Sequence, residues 1–214
     1  MGVVTGIEER LMIYLHPGSD GAEAVWLNVR EFCKRHRLVL IRTGPADLDR
    51  RLGDLTGIDE MPDRKPEAGA ADGDPAGDES AEPKQTLYLL CGFEPAARDR
   101  LLSAMRAEEI GDGDLKAMAT DNNLNWTLRH LLKDVAAEHE IMQTYMALRH
   151  TLRVMDVLIE TVGLPPQAKA EFDERMAMAK AMTADGRVPE DVETMRRLDR
   201  ELKILITMGE SEDL

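Results

Sequence analysis

The stretch TLYLLCG, residues Thr86 to Gly92, is an apolar run of strand length that ends in a glycine. A second such run, RLMIYLH, lies near the start of the chain at residues 10–16. Strands that are apolar at nearly every position are typical of a sheet covered on both faces, because no side faces water. The two runs therefore predict an α/β fold with helices on both faces of the sheet.

The order strand, helix, strand, helix occurs twice. In residues 9–61 the strand is followed by AEAVWLNVREFCKRH, whose apolar residues fall at helical spacing, then by the strand LVLIRT and a short helix. In residues 86–136 the strand is followed by a helix beginning near Pro95, the strand LKAMAT and a further helix. We predict two βαβα units related by an internal repeat.

A strand-helix-strand crossover makes its two strands parallel. We therefore expect the two units to share one small, mostly parallel four-stranded sheet, with the strands of both halves pointing the same way. All strand carboxyl ends would then meet at one edge, where ligands bind in such sheets.

The segment between the units, residues 62–85, contains Pro, Gly, Ala and acidic residues but no Leu, Ile, Val or aromatic residue. Such a segment buries too little apolar area to offset its ordering entropy, so we predict a disordered acidic linker.

Residues 137–214 are predicted to form an α-helical extension. A heptad seam runs through it, with spacings of four and three over three repeats. The seam consists of Ile141, Tyr145, Leu148, Leu152, Met155, Ile159 and Val162. We expect it to pack within the chain or against a protein partner, which includes another copy of the chain.

Composition narrows the classes of function. The net charge of −14 disfavours binding to nucleic acids and to anionic membranes, because both are negatively charged. Cys33 and Cys91 are far apart and fit no metal-ligand spacing, which is typical of reduced thiols in a cytoplasmic protein. We expect a cytoplasmic protein with no cofactor and no metal.

The stretch ATDNNLNWTLRHLL, residues 119–132, follows the last predicted strand. Asn125 is well placed to cap the next helix, which explains one amide. Asn122 and Asn123 are left over beside helix N-termini, which attract anionic or amide groups. A small-ligand site at the strand ends is therefore an alternative hypothesis, and its predicted residues are Thr43, Cys91, Thr120, Asn122, Asn123 and Trp126.

Three segments together resemble a family of bacterial proteins known as domain of unknown function 3783: LYLLCGF, LKAMATDNNLNWTLRHLL and AAEHEIM. The residues that carry the resemblance are Cys91, Gly92, Phe93, Thr120, Asn123, Trp126, Thr127, Leu128, Glu138 and His139. It spans about residues 86–142, and Asp121 stands where the family pattern has a proline. The resemblance implies the α/β fold of this segment and a similar, degenerate first half. It implies no reaction.

A cysteine-dependent enzyme is the third hypothesis. Cys91 precedes Gly92 and a helix start, where a thiol pKa can be lowered. A phosphatase loop, however, has an arginine six positions after its cysteine, and Arg98 is seven after Cys91. We rank a non-catalytic interaction or regulatory protein first, a ligand sensor second and this enzyme third.

Overall fold

The computed structural model describes residues 8–16, 18, 21–58, 85–161, 166–184, 188–189 and 191–210. The elements follow the predicted α/β order. Four strands are β1 (Arg10–Tyr14), β2 (Val39–Thr43), β3 (Leu87–Cys91) and β4 (Leu115–Met118). The helices are α1 (Ala22–His36), α2 (Leu52–Thr56), α3 (Pro95–Ala107), α4 (Leu128–Thr161), α5 (Pro166–Thr183) and α6 (Val192–Glu210), and a 3-10 turn (Pro45–Asp47) precedes α2.

The four strands form one sheet in the order β2-β1-β3-β4. β1 pairs with β2 and β3 pairs with β4 in parallel, so the prediction of a mostly parallel four-stranded sheet is confirmed. The two halves meet in antiparallel fashion, however, because β1 and β3 run in opposite directions with Met12 opposite Leu89. The expectation that all four strands point the same way is therefore wrong.

Helices cover both faces of this sheet. On one face, Leu11, Ile13 and Leu90 pack with residues of α1 and α3, among them Phe32 and Met105. On the other face, α2 and the first turns of α4 cover the alternate strand residues, which are Met12, Tyr14, Leu87, Leu89, Cys91 and Leu115. The strands are buried on both sides, which explains why they are apolar at consecutive positions.

The loop before α2 and the loop before α4 exchange backbone hydrogen bonds in a reciprocal way. The amide of Leu52 donates to the carbonyl of Trp126 at 2.9 Å, and the amide of Leu128 donates to the carbonyl of Arg50 at 3.1 Å. A second pair joins Gly53 to the carbonyl of Leu124 and Arg129 to the carbonyl of Leu48. Each donor and acceptor in one half thus has its counterpart about 76 positions later. These bonds satisfy amides that a helix start leaves without intrahelical partners.

The chain divides into two compact units, residues 1–136 and 137–214. The second unit is helical, as predicted for the C-terminal portion, and consists of the later part of α4 with α5 and α6. Its core joins one face of each helix and includes Tyr145, Leu148, Leu152, Met155, Phe172, Met176, Met195, Leu198 and Leu202. Asp191 caps the N-terminus of α6, because its Oδ1 accepts a hydrogen bond from the amide of Thr194 at 2.9 Å.

Some predictions fall outside the described residues. They concern the linker at 62–84, Val162 at the end of the heptad seam, and the last four residues of the chain. Within the described part of the chain, no helix is long and apolar enough to cross a membrane.

We predict that Gly111→Ala destabilises the first unit. Gly111 has φ +65°, and an added Cβ would lie 2.6 Å from the ring of the buried Tyr88. The left-handed backbone costs about 1–3 kcal/mol for a residue with a Cβ, and the overpacking adds about 1–3 kcal/mol. Urea unfolding followed by tryptophan fluorescence measures the loss.

Gly113→Ala is the matched control, because Gly113 has φ +76° and no heavy atom within 4 Å of an added Cβ. It should show only the backbone part of the loss. Equal free energies of unfolding for the two variants would contradict the predicted contact with Tyr88.

Candidate functional site

The residues predicted to line one ligand site lie at opposite ends of the sheet. Thr43 is level with Tyr14, which is itself opposite Leu87, the first residue of β3. Cys91 is level with Arg10 at the other end. The two ends are separated by four strand steps, about 13 Å at 3.3 Å per residue. Antiparallel joining of the halves therefore separates Thr43 from Cys91 and from Thr120, which follows β4.

Three of the predicted site residues are buried, namely Thr43, Cys91 and Asn123. The hydroxyl of Thr43 donates to the carbonyl of Ile13 at 3.1 Å. Cys91 has an exposed fraction of 0% and packs among the apolar residues between the sheet and α4. Burial raises the pKa of the Cys91 thiol to about 12, although the charge of Arg10 acts in the opposite direction. This environment favours an inert thiol rather than a nucleophilic thiolate.

The side chain of Asn123 holds the turn after β4 together. Its Oδ1 accepts a hydrogen bond from the amide of Thr120 at 2.8 Å, and its Nδ2 donates to the carbonyl of Met118 at 2.9 Å. Asp47 does the same for the turn after β2, where its carboxylate accepts from the amide of Gly44 at 3.1 Å. Both residues therefore fix strand-to-helix turns in the same manner.

The predicted helix cap is wrong by two residues. The hydroxyl of Thr127, rather than the amide of Asn125, accepts a hydrogen bond from the backbone of His130 at the start of α4. Threonine is among the residues that favour this position, and the helix begins at Leu128, two residues later than a cap at Asn125 requires. Asn125 is exposed.

Asn122, Thr120 and Trp126 are the predicted site residues that retain exposed surface. Asn122 is exposed in the turn, while Thr120 and Trp126 are half-buried. The Trp126 ring packs against the core under α4, and its centroid lies 4.3 Å from that of the His130 ring. Ligand binding by this set remains a prediction.

Most residues of the predicted heptad seam pack into the core of the chain's own helical unit. Leu148 has an exposed fraction of 0%, and Tyr145, Leu152 and Met155 are also buried in the core of the second unit. Ile141 is half-buried against this core, and Ile159 lies at the border of exposure. These residues therefore stabilise the helical unit and leave little seam surface for a partner.

A second apolar set on α4 faces outward, and the heptad pattern did not predict it. We call it the outer stripe, and it consists of Met142, Met146, Val154 and Val157. Met146 and Val157 have exposed fractions of 55% and 60%. Met142 and Met146 each follow a seam residue by one position, so the signal in the sequence is limited to these two methionines.

Basic side chains lie within the outer stripe and in a groove near it. Arg149 and Arg153 lie on the same face of α4, three and seven positions after Met146. On the side of α6, a shallow groove beside Ala147 of α4 is lined by Arg196, Arg200 and Lys203. We call these five residues the basic border: Arg149, Arg153, Arg196, Arg200 and Lys203.

Part of the basic border is committed to ion pairs and part is not. Arg196 pairs with Glu140, and Lys203 pairs with Asp199 at 2.7 Å. Arg149 lies over the ring of Tyr145 at 5.6 Å. Arg153 and Arg200 form no ion pair with any residue that the structure describes. The border thus retains positive charge beside an exposed apolar stripe.

Among the described residues, no three His, Cys, Asp or Glu side chains are arranged to hold a metal ion. Cys33 and Cys91 are both free and buried. The exposed apolar and basic residues on α4 are the remaining candidate for a functional surface in the part of the chain that the structure describes.

Residues 87–142 match the family model of a domain of unknown function, DUF3783. This confirms the predicted resemblance over the segment from β3 into α4. No curated protein and no solved structure matches the chain. The family description names no activity, so the match supplies no reaction.

We predict that Cys91 of the native chain reacts with iodoacetamide at pH 7.5 about a hundredfold more slowly than a free thiol, or slower still. The reason is its burial and its pKa of about 12. Peptide mass spectrometry follows the modification, and the urea-unfolded chain is the control. Labelling of native Cys91 as fast as that of glutathione would instead support the cysteine-enzyme hypothesis.

The raised pKa of the Cys91 thiol also makes the stability of the protein depend on pH. A thiol whose pKa is raised in the native state contributes stability below its unfolded pKa, near 9.0. This contribution should decline as the pH rises from 9.0 towards 12. Urea unfolding at pH 8 and pH 10.5 should therefore give a lower free energy of unfolding at the higher pH.

We predict that Asn123→Ala costs about 1–3 kcal/mol of stability, because it leaves the amide of Thr120 and the carbonyl of Met118 without their partner. Asn122→Ala, at the exposed neighbour, should cost under about 0.5 kcal/mol. Urea unfolding with Trp126 as a probe compares them. Equal stability of both variants would remove the structural explanation for Asn123 and strengthen the ligand hypothesis.

Proposed function

We propose that the chain is a cytoplasmic, non-catalytic interaction protein that binds a protein partner through the outer stripe on α4. The observation that carries the proposal is the exposure of Met142, Met146, Val154 and Val157 on one helix whose other face is already buried in the core of its own unit. Exposed apolar surface bordered by polar residues is typical of protein–protein interaction sites.

The composition of the outer stripe supports this proposal. Methionine side chains are flexible and polarisable, and they adapt to the surface of a partner. Methionine and arginine are also enriched at interfaces relative to the rest of a protein surface. Met146, Arg149 and Arg153 bring both residue types to one helix face.

The α/β unit is not the proposed binding region. Its turns after β2 and β4 are held by Asp47 and Asn123, which leaves these side chains engaged in local hydrogen bonds.

We also propose that this unit arose by internal duplication. The reciprocal hydrogen bonds between the loops before α2 and α4 support that proposal.

The proposed location in the cytoplasm rests on the cysteines. Cys33 and Cys91 are unpaired, and burial raises the pKa of both thiols, to about 11 and about 12. Reduced, inert thiols of this kind are typical of proteins from a reducing compartment.

Site-specific photocrosslinking in cells of the natural host tests the partner proposal. A photoreactive amino acid replaces Met146 in one version and Met178, an exposed methionine of α5, in the other. We expect a discrete protein adduct from position 146 only. Val154→Asp in the same chain should abolish this adduct, because a charge in the stripe is costly to desolvate.

Circular dichroism of the purified Val154→Asp variant shows whether the helical unit is intact. Adducts of equal yield from positions 146 and 178, or an adduct that Val154→Asp leaves unchanged, would contradict the proposal. An adduct with the mass of two chains would identify the partner as a second copy.

A further inference from the structure

From the charge around the outer stripe we infer the class of its partner: a helical segment with an apolar face and an acidic flank, carried by another protein. This inference rests on the proposed function and adds the chemistry of the occupant. Its basis is the set of exposed basic residues on the face of α4 that carries the stripe and in the groove beside Ala147.

The border is positive on the side of α4 and on the side of α6. On α4, Arg149 and Arg153 recur at the same helical spacing as Met142 and Met146, so a partner lying along the stripe meets both. On α6, Arg196, Arg200 and Lys203 line the groove that opens beside Ala147. Exposed apolar residues that share a helix face with arginines match a helix that carries carboxylates beside its apolar face.

The charges available for a partner are those of Arg153 and Arg200. Neither forms an ion pair with a described residue, and both side chains are exposed. By contrast, Arg196 and Lys203 already face Glu140 and Asp199. A carboxylate of the partner can therefore pair with Arg153 or Arg200 without displacing an existing bond.

The net charge of the chain does not oppose such a partner at close range. Exposed charges are screened beyond about 8 Å at physiological ionic strength. The excess negative charge of −14 is spread over 214 residues, whereas the basic border lies beside the stripe. The electrostatic interaction of a partner carboxylate at the stripe is therefore dominated by the nearby arginines.

A second copy of the chain is a poorer occupant. In a two-fold pairing of α4 helices through the outer stripe, Arg149 and Arg153 of one copy would lie close to the same residues of the other. Like charges placed together at an interface oppose association. The same repulsion is absent when the partner supplies glutamate or aspartate.

A selection from a display library tests the inference. Helical peptides of about 20 residues carry fixed leucines along one face, while their flanking positions vary equally among Glu, Lys, Gln and Ser. The labelled full-length chain selects binders. We expect enrichment of Glu over Lys at the flanks and complete loss of binding with the Met146→Asp chain.

Fluorescence anisotropy with one selected peptide then measures the effect of the border. Arg153→Glu and Arg200→Glu should each weaken binding about tenfold or more. Arg100→Glu, the same charge change at an exposed position of α3, should leave the affinity unchanged.

The outcomes separate the inference from the proposed function. Binders that need Met146 but show no excess of Glu, or that tolerate both arginine reversals, would overturn the inference and leave the proposed function standing. Peptides that bind the Met146→Asp chain equally well, or failure to recover any binder, would count against both. A stable dimer in light scattering that Met146→Asp dissociates would overturn the inference in favour of a second copy.

Discussion

The antiparallel pairing of β1 with β3 is the constraint on which the α/β unit depends. It places Met12 opposite Leu89 at the centre of the sheet, and it makes the strands of one βαβα half run antiparallel to those of the other. With the halves in this relation, α1 and α3 share one face of the sheet, and α2 and the start of α4 share the other. It also brings the loops before α2 and α4 together, where they exchange hydrogen bonds reciprocally.

This constraint determines what the polar strand ends can do. Carboxyl ends that share one edge can build a common pocket, but here they are divided between two edges, with Thr43 at one and Cys91 at the other. At each edge the side chain after the second strand closes its own turn, through Asp47 or Asn123. The exposed apolar surface lies elsewhere, on the part of α4 that belongs to the helical unit.

The local elements could be predicted from the sequence because each depends on its own residues. The strands were visible as apolar runs, and the helices as apolar positions at helical spacing. The direction of one half relative to the other could not be predicted. A crossover fixes only the strands that it joins, and the long segment between β2 and β3 can reach either end of the sheet at little entropic cost, since doubling a loop adds only about 0.6 kcal/mol.

The candidate site was predicted in part for similar reasons. Burial of the Cys91 thiol followed from the apolar strand around it. The outer stripe was missed because Met142 and Met146 lie one position after Ile141 and Tyr145, and the stronger heptad pattern accounted for the helix by itself. Which of two adjacent apolar series faces the core depends on where α5 and α6 pack, and that is tertiary information.

Nuclear Overhauser spectroscopy of the isotopically labelled full chain tests the antiparallel pairing of β1 with β3. In an antiparallel pair, the Hα atoms of directly opposite residues approach closely at alternate positions, where the Cα atoms are about 4.5 Å apart. Antiparallel pairing predicts Hα–Hα cross-peaks between β1 and β3 in the register that sets Leu11 opposite Leu90 and Ile13 opposite Tyr88. Cross-peaks of a parallel ladder between these strands, or none between them, would contradict it.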